Sequence, residues 1–562
     1  MFIYQYNDMA SFILNPQMNI DWGIVKFYNY FSNFIPIVSL NNIFIITTFL
    51  LSVFITSRLL VLLNVNKCLA TIFSILYSLS IYYLFRIISF TPGLYPILLF
   101  PLLIYLIIKK KHLIFLPLYV FIFLLFSNYY GFFCFVLVCF WYLFDLISKK
   151  INFREFVKKI LLFSIPVFIG ILIFFFSLLK SNLTFSNEYT RENSEKNPTE
   201  RTVIYRPIED WYNLSFCPWY FFIPPKSSVF FGEFSKNIHE KIKNTGYYLA
   251  DDYMEEEMAG SYMGWHFLLG MAFVAVLLLL KKYKNKEFKT FKTVYENKEI
   301  ILRSFFIIFC ILLISGPPSF TIHGMEIYTP TYLLYHIVPV FRTLVRWAVV
   351  IYLFVLIINS FLIQDLYNLM KTKLQKTLFI LTFIALNFVI FAIKIPVINI
   401  EKPPVEIAYV KEKYPQSVPY AVYPKGDYYS IFWVISHEDL LINPVNYVNY
   451  ETGFNAGEFS KKLITEEGIQ EFLKQNPKYL IYYPEKISDG DLKKISEINP
   501  VLRARDDIYG FFEQKIGEGV KVGESVVFEV VENCSENLII LVPDQRTEKC
   551  LVYLSNTNLI FF

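Results

Sequence analysis

The chain has 562 residues, 55% of them hydrophobic and 19% aromatic, with only 18% charged and a formal net charge of +5. A soluble domain of this length does not need so much apolar side chain, whereas an integral membrane protein does. The small positive balance does not suit a nucleic-acid binder, because the basic residues cluster in short stretches beside apolar runs, the pattern of membrane-orientation signals.

The first residues, "MFIYQYNDMASFILNPQ", lack both the basic start and the clean apolar centre of a secretory signal. Apolar runs then predict about ten spans, each near the ~20 residues that a bilayer requires. They fall at 39–63, 68–88, 93–108, 112–127, 130–147, 160–180, 263–280, 301–316, 343–363 and 377–394. The connectors alternate in charge. "KKKH" (109–112), "SKKINFREFVKK" (148–159), "KKYKNKEFKTFKTVYENKE" (281–299) and "QDLYNLMKTKLQK" (364–376) are Lys-rich and predict a cytoplasmic side. "SNYYG" (127–131), the segment 181–262 and "GPPSFTIHGMEIYTP" (316–330) are poor in Lys or mixed, and predict the opposite side. Parity then puts both the N-terminal stretch 1–38 and the tail outside.

The outer loop 181–262 is too long for a connector, and long segments with their own aromatics are usually functional. Its part "RPIEDWYNLSFCPWYFFIPP" (206–225) suits the headgroup level, where aromatic rings are half wet. The fold class expected is therefore a multi-span α-helical membrane domain over 1–396, followed by an extracytoplasmic mixed α/β domain over 397–562. In that tail, short apolar runs at 418–424, 478–484, 525–531, 537–543 and 550–556 read as strands. The stretches 466–476 and 488–499 have helical spacing behind N-terminal acids. Cys68, Cys134, Cys139 and Cys310 lie in apolar runs and pack as small hydrophobes. Cys534 and Cys550 form either a disulfide, in an exported tail, or two separate buried thiols.

No Walker loop, HExxH, CxxC or glycine-rich dinucleotide turn occurs, and the six histidines are scattered. Chemistry should then rest on carboxylates and arginines at the outer face. In "HIVPVFRTLVRWAVVIYLF" (336–354), Arg342 and Arg346 are spaced i and i+4 at the mouth of an apolar helix. Two guanidiniums there, at a helix N-terminus on the non-basic side, suit a phosphate. The plainer reading is that they reach lipid headgroups or pair with an outer acid such as Glu326. Asp8 and Asp21 are the acids of the first outer stretch, able to deprotonate a hydroxyl or hold a divalent metal, and otherwise solvated loop acids. Arg206 could reach an anionic donor or be a lone loop arginine. The run "DDYMEEEMAG" (251–260) could recruit a divalent cation through its oxygens, but reads more simply as a solvated loop. Arg86 and His336 are further polar groups at this surface without a specific signal.

Several pieces together resemble the YfhO-like multi-span membrane proteins of bacteria and archaea. They are "FSNYYGFFCFVL" (126–137), "RPIEDWYNLSFCPWYFFIPPKSSVFFG" (206–232), "EMAGSYMGWHFLLG" (257–270), "FRTLVRWAVV" (341–350) and "PVEIAYVKEKYPQSVPYAVYP" with "LLINPVNY". Each is weak alone; their order along nearly the whole chain carries the resemblance. It implies the GT-C glycosyltransferase superfamily, hence transfer of a sugar from a polyprenyl-phosphate-linked donor to an extracytoplasmic glycan, lipid or protein acceptor. Carried over, Arg342 and Arg346 match the late-span arginines, and Asn128, Tyr129 and Tyr130 the aromatic turn. Asp8, in "YNDMASF", is the candidate for the catalytic acid that the resemblance implies in the first outer loop, with Asp21 the alternative. No cofactor is fixed; a divalent cation, Mg²⁺ or Mn²⁺, is the candidate. The first span that the resemblance implies does not precede Asp8 in this chain, so an incomplete start, with the acid upstream of Met1, is the expectation that competes with it. The rival function is a transporter or assembly subunit for lipid-linked glycans, which would need ionisable groups near mid-bilayer.

Overall fold

The computed structural model describes residues 31, 34, 37–88, 91–110, 128–165, 208–242, 255–284, 288–322, 325–337, 343–394, 405–415, 418–424, 440–441, 448–449 and 454–530. Two compact units are present, Met1–Asn399 and Ile400–Phe562.

In the first unit, six segments are long and apolar enough to cross a membrane: Ser39–Leu62, Lys67–Ile88, Tyr129–Ile147, Ala259–Tyr283, Leu344–Leu369 and Lys373–Phe391. A helical membrane protein follows from them, with fewer full-length spans among the described residues than the ten expected. The differences have local causes. The stretch expected at 93–108 forms a short 3-10 turn, Pro92–Leu94, and an 11-residue helix, Leu99–Lys109. At about 1.5 Å per residue that helix is too short to span. The stretch expected at 301–316 is the helix Lys298–Ser315, whose first turns carry Lys298, Glu299 and Arg303. The stretch 68–88 is two helices, Lys67–Ser78 and Ile81–Ile88. The expected span 112–127 lies outside the described residues, and of 160–180 only residues 160–165, which are helical, lie within them.

Leu344–Leu369 is the hub, buried along nearly its whole length. Asn359 fastens it to the helix Trp265–Lys284, donating from Nδ2 to the Phe267 carbonyl at 3.0 Å and to the Val355 carbonyl at 2.8 Å. Gly270 allows this approach, since a Cβ there would lie 2.1 Å from Asn359 Oδ1. Lys373–Phe391 shows the reverse of a soluble helix. Leu374, Leu378, Leu381, Ile384 and Phe388 form an exposed apolar stripe at helical spacing, which hydrocarbon tolerates and water does not.

Contacts sort the connectors into two ends. At one, Arg303 bonds Asp145 at 2.6 Å and Glu299 at 3.1 Å, Lys150 pairs with Glu299, and Gln364 bridges Asn64 and Asn66. Asp365 there accepts the N–H groups of Thr293 and Val294, both at 3.0 Å. At the other end, the Phe216 N–H donates to the Ser315 carbonyl at 2.7 Å, Val345 to Leu214 at 3.0 Å and Val229 to Ala392 at 2.9 Å. The Lys-rich connectors 148–159, 281–299 and 364–376 thus meet at one end, and the described part of the aromatic segment, 208–232, covers the other.

The second unit has strands β1 (Pro419–Tyr423), β2 (Leu440–Leu441), β3 (Tyr479–Tyr482), β4 (Gly519–Val522) and β5 (Ser525–Glu529) in one sheet, ordered β2-β1-β3-β5-β4. β1 pairs parallel with β2 and β3, while β5 runs antiparallel to β3 and β4. Helices Glu466–Lys474, Asp489–Ile498 and Arg505–Ile516 supply Phe472, Ile495 and Phe512 to a core with Tyr423, Leu480 and Phe528. Thr465 and Ser488 cap the first two through the N–H groups of Gly468 and Asp491, as the acids behind them foretell. The runs 537–543 and 550–556, and with them Cys534 and Cys550, lie outside the described residues.

Candidate functional site

At the aromatic end of the span bundle, two arginines from distant parts of the chain meet one carboxylate. Arg346 presents the side-on edge of its guanidinium to Glu257, with Nη2 at 2.7 Å from Oε1 and Nε at 3.2 Å from Oε2. Arg86 donates from Nη1 to the same Oε1 at 2.8 Å. The Arg86 side chain is fully buried, and those of Arg346 and Glu257 are each 15% exposed. A buried carboxylate between two guanidiniums is compensated both in charge and in hydrogen bonds. Burial alone would push the Glu257 carboxyl upward; Arg346 and Arg86 outweigh it and hold it at about 2.

Four elements position these groups. Arg86 ends the helix Ile81–Ile88, one turn after Tyr82, and its guanidinium lies 5.3 Å from the centre of the Tyr82 ring. Glu257 sits on the one-turn helix Glu255–Met258, followed by the 3-10 turn Ala259–Ser261. Gly260 brings this strap onto Tyr82: a Cβ there would stand 3.0 Å from the Tyr82 Cα, so a larger residue needs the strap or Tyr82 to give by a few tenths of an ångström. Arg346 belongs to the 3-10 turn Leu344–Trp347, ahead of the helix Ala348–Leu369. Its guanidinium stacks over the Tyr129 ring at 4.6 Å, a cation–π contact at the start of the helix Asn128–Ile147. Trp347, the next residue, stacks on Phe133 at 4.0 Å and pins the turn to that helix.

Arg342 lies outside the described residues, so its expected helical pairing with Arg346 is followed only as far as Thr343. Thr343 has φ −88° and ψ 72°, outside the helical region, and a 3-10 turn follows. The cause is the Val345 N–H, which donates across the chain to the Leu214 carbonyl rather than back along a helix. Arg346 therefore sits before the regular helix and not on its N-terminal face.

Among the other expected site residues, Tyr129 touches the cluster directly, and its hydroxyl is 3.5 Å from Thr343 Oγ1. Tyr130 is fully buried, donates to the Leu94 carbonyl at 2.6 Å and to the Tyr82 hydroxyl at 3.3 Å, beside the ring on which Arg86 rests. Asn128 opens its helix, but its side chain lies outside the described residues, as do Asp8, Asp21, Arg206 and Arg342. Glu326, the acid named as a partner for the arginines, is instead bonded to the Ser319 hydroxyl at 2.6 Å and the Tyr328 hydroxyl at 3.0 Å.

Reading 251–260 as one solvated run is wrong for Glu257, whose carboxylate is buried between two guanidiniums. Both its oxygens are engaged by guanidinium, which leaves it poorly suited to the divalent cation suggested for that run. Among the described residues, no group of three or more His, Cys, Asp or Glu is placed to hold a metal ion. The signal for Glu257 was its neighbourhood. It is followed by Ala259, Gly260 and Ser261, small residues that permit close approach to a helix carrying an otherwise unexplained arginine.

No protein-family model matches the chain, and no curated protein matches it.

Proposed function

We propose that the chain is a membrane glycosyltransferase that takes a sugar from a polyprenyl-phosphate-linked donor and delivers it to an acceptor glycan, lipid or protein outside the cell membrane. In this reading the membrane domain has about ten spans, the aromatic end faces out, and the α/β unit is extracytoplasmic. The observation that carries it is the Arg346 guanidinium, stacked on Tyr129 and paired beside Arg86 at the span ends opposite the Lys-rich connectors. Fixed guanidiniums at a membrane surface suit a lipid-linked phosphate.

The donor phosphate sits against Arg346 and Arg86, with its lipid between spans. The bond between the sugar anomeric carbon and the phosphate oxygen breaks, and the electron pair stays on the phosphate. The acceptor oxygen bonds to the anomeric carbon, and its proton passes to a carboxylate, Asp8 or the alternative Asp21. Arginines that bind the growing phosphate charge more tightly than the ground state accelerate the step. Arg342 and Arg206 would add to the anion site. Mg²⁺ or Mn²⁺ is not needed for these steps but is compatible with them.

The test is transfer of labelled sugar from a polyprenyl-phosphate donor by the purified full chain in proteoliposomes. Arg346→Ala should lower turnover at saturating donor far more than Arg346→Lys. Wild-type turnover in both variants would remove Arg346 from the phosphate site.

A further inference from the structure

In the reading proposed above, the cluster lies at the outer leaflet, where phospholipid phosphates stand at high local concentration. A bare pair of arginines at a span end would be filled by whichever headgroup is most abundant. Here the pair is not bare. Glu257 covers the Nε/Nη2 edge of Arg346 and takes Nη1 of Arg86 on the same oxygen. The carboxylate is held by construction, because Gly260 seats its strap against Tyr82 and both guanidiniums rest on aromatic rings.

We propose that Glu257 is a specificity-determining residue: it occupies the anion-binding edges of Arg86 and Arg346 against bulk phospholipid headgroups and is exchanged only for a lipid-linked phosphate that brings further contacts. That the winning ligand is a sugar donor rests on the function proposed above; the exclusion of bulk phospholipid does not. The exchange is anion for anion, so the guanidiniums stay compensated throughout. A phosphatidylglycerol headgroup offers one phosphodiester charge and little else, too little to offset moving the strap and rehydrating the carboxylate. A glycosyl phosphate adds contacts from its sugar and its isoprenoid chain, and such remote binding energy can be spent on the displacement.

The experiment uses the full chain, purified in mild detergent from membranes containing phosphatidylglycerol. Retained lipid is counted by native mass spectrometry, and binding of a polyprenyl phosphate is competed with added phosphatidylglycerol. Glu257→Gln keeps the shape and removes the charge. It should retain phosphatidylglycerol that the wild type does not, and competition should set in at roughly tenfold lower phosphatidylglycerol. Adding Arg346→Gln to Glu257→Gln should abolish the retention. Unchanged retention and competition in a folded Glu257→Gln protein would overturn the proposal. So would an increase for inorganic phosphate without one for phosphatidylglycerol. Should Glu257→Gln not fold, Glu257→Asp retracts the carboxylate by one methylene and is read in the same way. If the wild type binds no polyprenyl phosphate, the transferase reading fails, while phosphatidylglycerol retention still decides the role of Glu257.

Discussion

Arg346 and Glu257, 89 residues apart in sequence, form a side-on pair with contacts of 2.7 and 3.2 Å at one end of the span bundle. Arg86, 171 residues before Glu257, shares the same carboxylate oxygen. One side chain thus ties together the ends of three membrane segments, and its loss should be felt as stability. Glu257→Ala leaves two buried guanidiniums without their anion, which costs about 3–5 kcal/mol. Arg86→Met removes one charge, keeps the volume and leaves the Arg346–Glu257 pair, so its cost is smaller. Thermal unfolding in detergent should rank the two in that order.

The cluster should also mark the acid limb of stability. Glu257 titrates at about 2 when folded, against an ordinary carboxyl near 4.5. Its contribution is complete above the unfolded value and lost as pH falls from about 4.5 through 2. His239 gives a second window. Burial, with Lys226 nearby, lowers its imidazole to about 4 from an ordinary 6.5, so its contribution is lost as pH falls from about 6.5 through 4. Midpoints measured from pH 7 to 3 should fall in two phases. His239→Gln should shrink the upper phase and Glu257→Gln the lower, since other groups share both windows.

Tyr129 supports Arg346 through its ring face, with the guanidinium 4.6 Å from the ring centre. Tyr129→Phe keeps that face and should leave donor affinity near wild type. Tyr129→Leu removes it and should weaken donor binding by about 1–2 kcal/mol, a rise in KM of roughly five- to thirtyfold. Equal effects of the two substitutions would assign the role to the hydroxyl and its approach to Thr343.

Gly270 and Asn359 make an independent check on the bundle. A methyl group at position 270 would lie 2.1 Å from Asn359 Oδ1, so Gly270→Ala should destabilise by about 1–3 kcal/mol through overpacking. Asn359→Ala should relieve that clash, and the double variant should cost less than the sum of the single ones. Strict additivity would mean that the two helices do not meet there.

Periodicity and charge made the helical membrane class legible, because a lipid-facing stripe such as Leu374–Leu378–Leu381 leaves the same mark in sequence as in structure. Capping signals did likewise for Glu466–Lys474 and Asp489–Ile498. Arg346 was legible because a cation at the mouth of an apolar helix needs an explanation. Its partner was not. Glu257 stands in a run of acids, and composition alone does not show that its carboxylate turns inward. That depends on Gly260 meeting Tyr82, a contact between segments 178 residues apart. Nor did the apolar run after Arg346 reveal that Val345 would bond Leu214 and that a 3-10 turn, Leu344–Trp347, would precede the regular helix.

The most direct test is which side of the membrane the arginine cluster faces, since a donor phosphate on the outer surface requires it there. Cysteines placed at exposed Lys292, in a Lys-rich connector, and at exposed Val501, in the α/β unit, can be probed in intact cells with a membrane-impermeant thiol reagent. Labelling at 501 but not at 292 is the expected result. Labelling at 292 with protection at 501 would contradict the assigned sidedness and, with it, the proposed transfer outside the membrane.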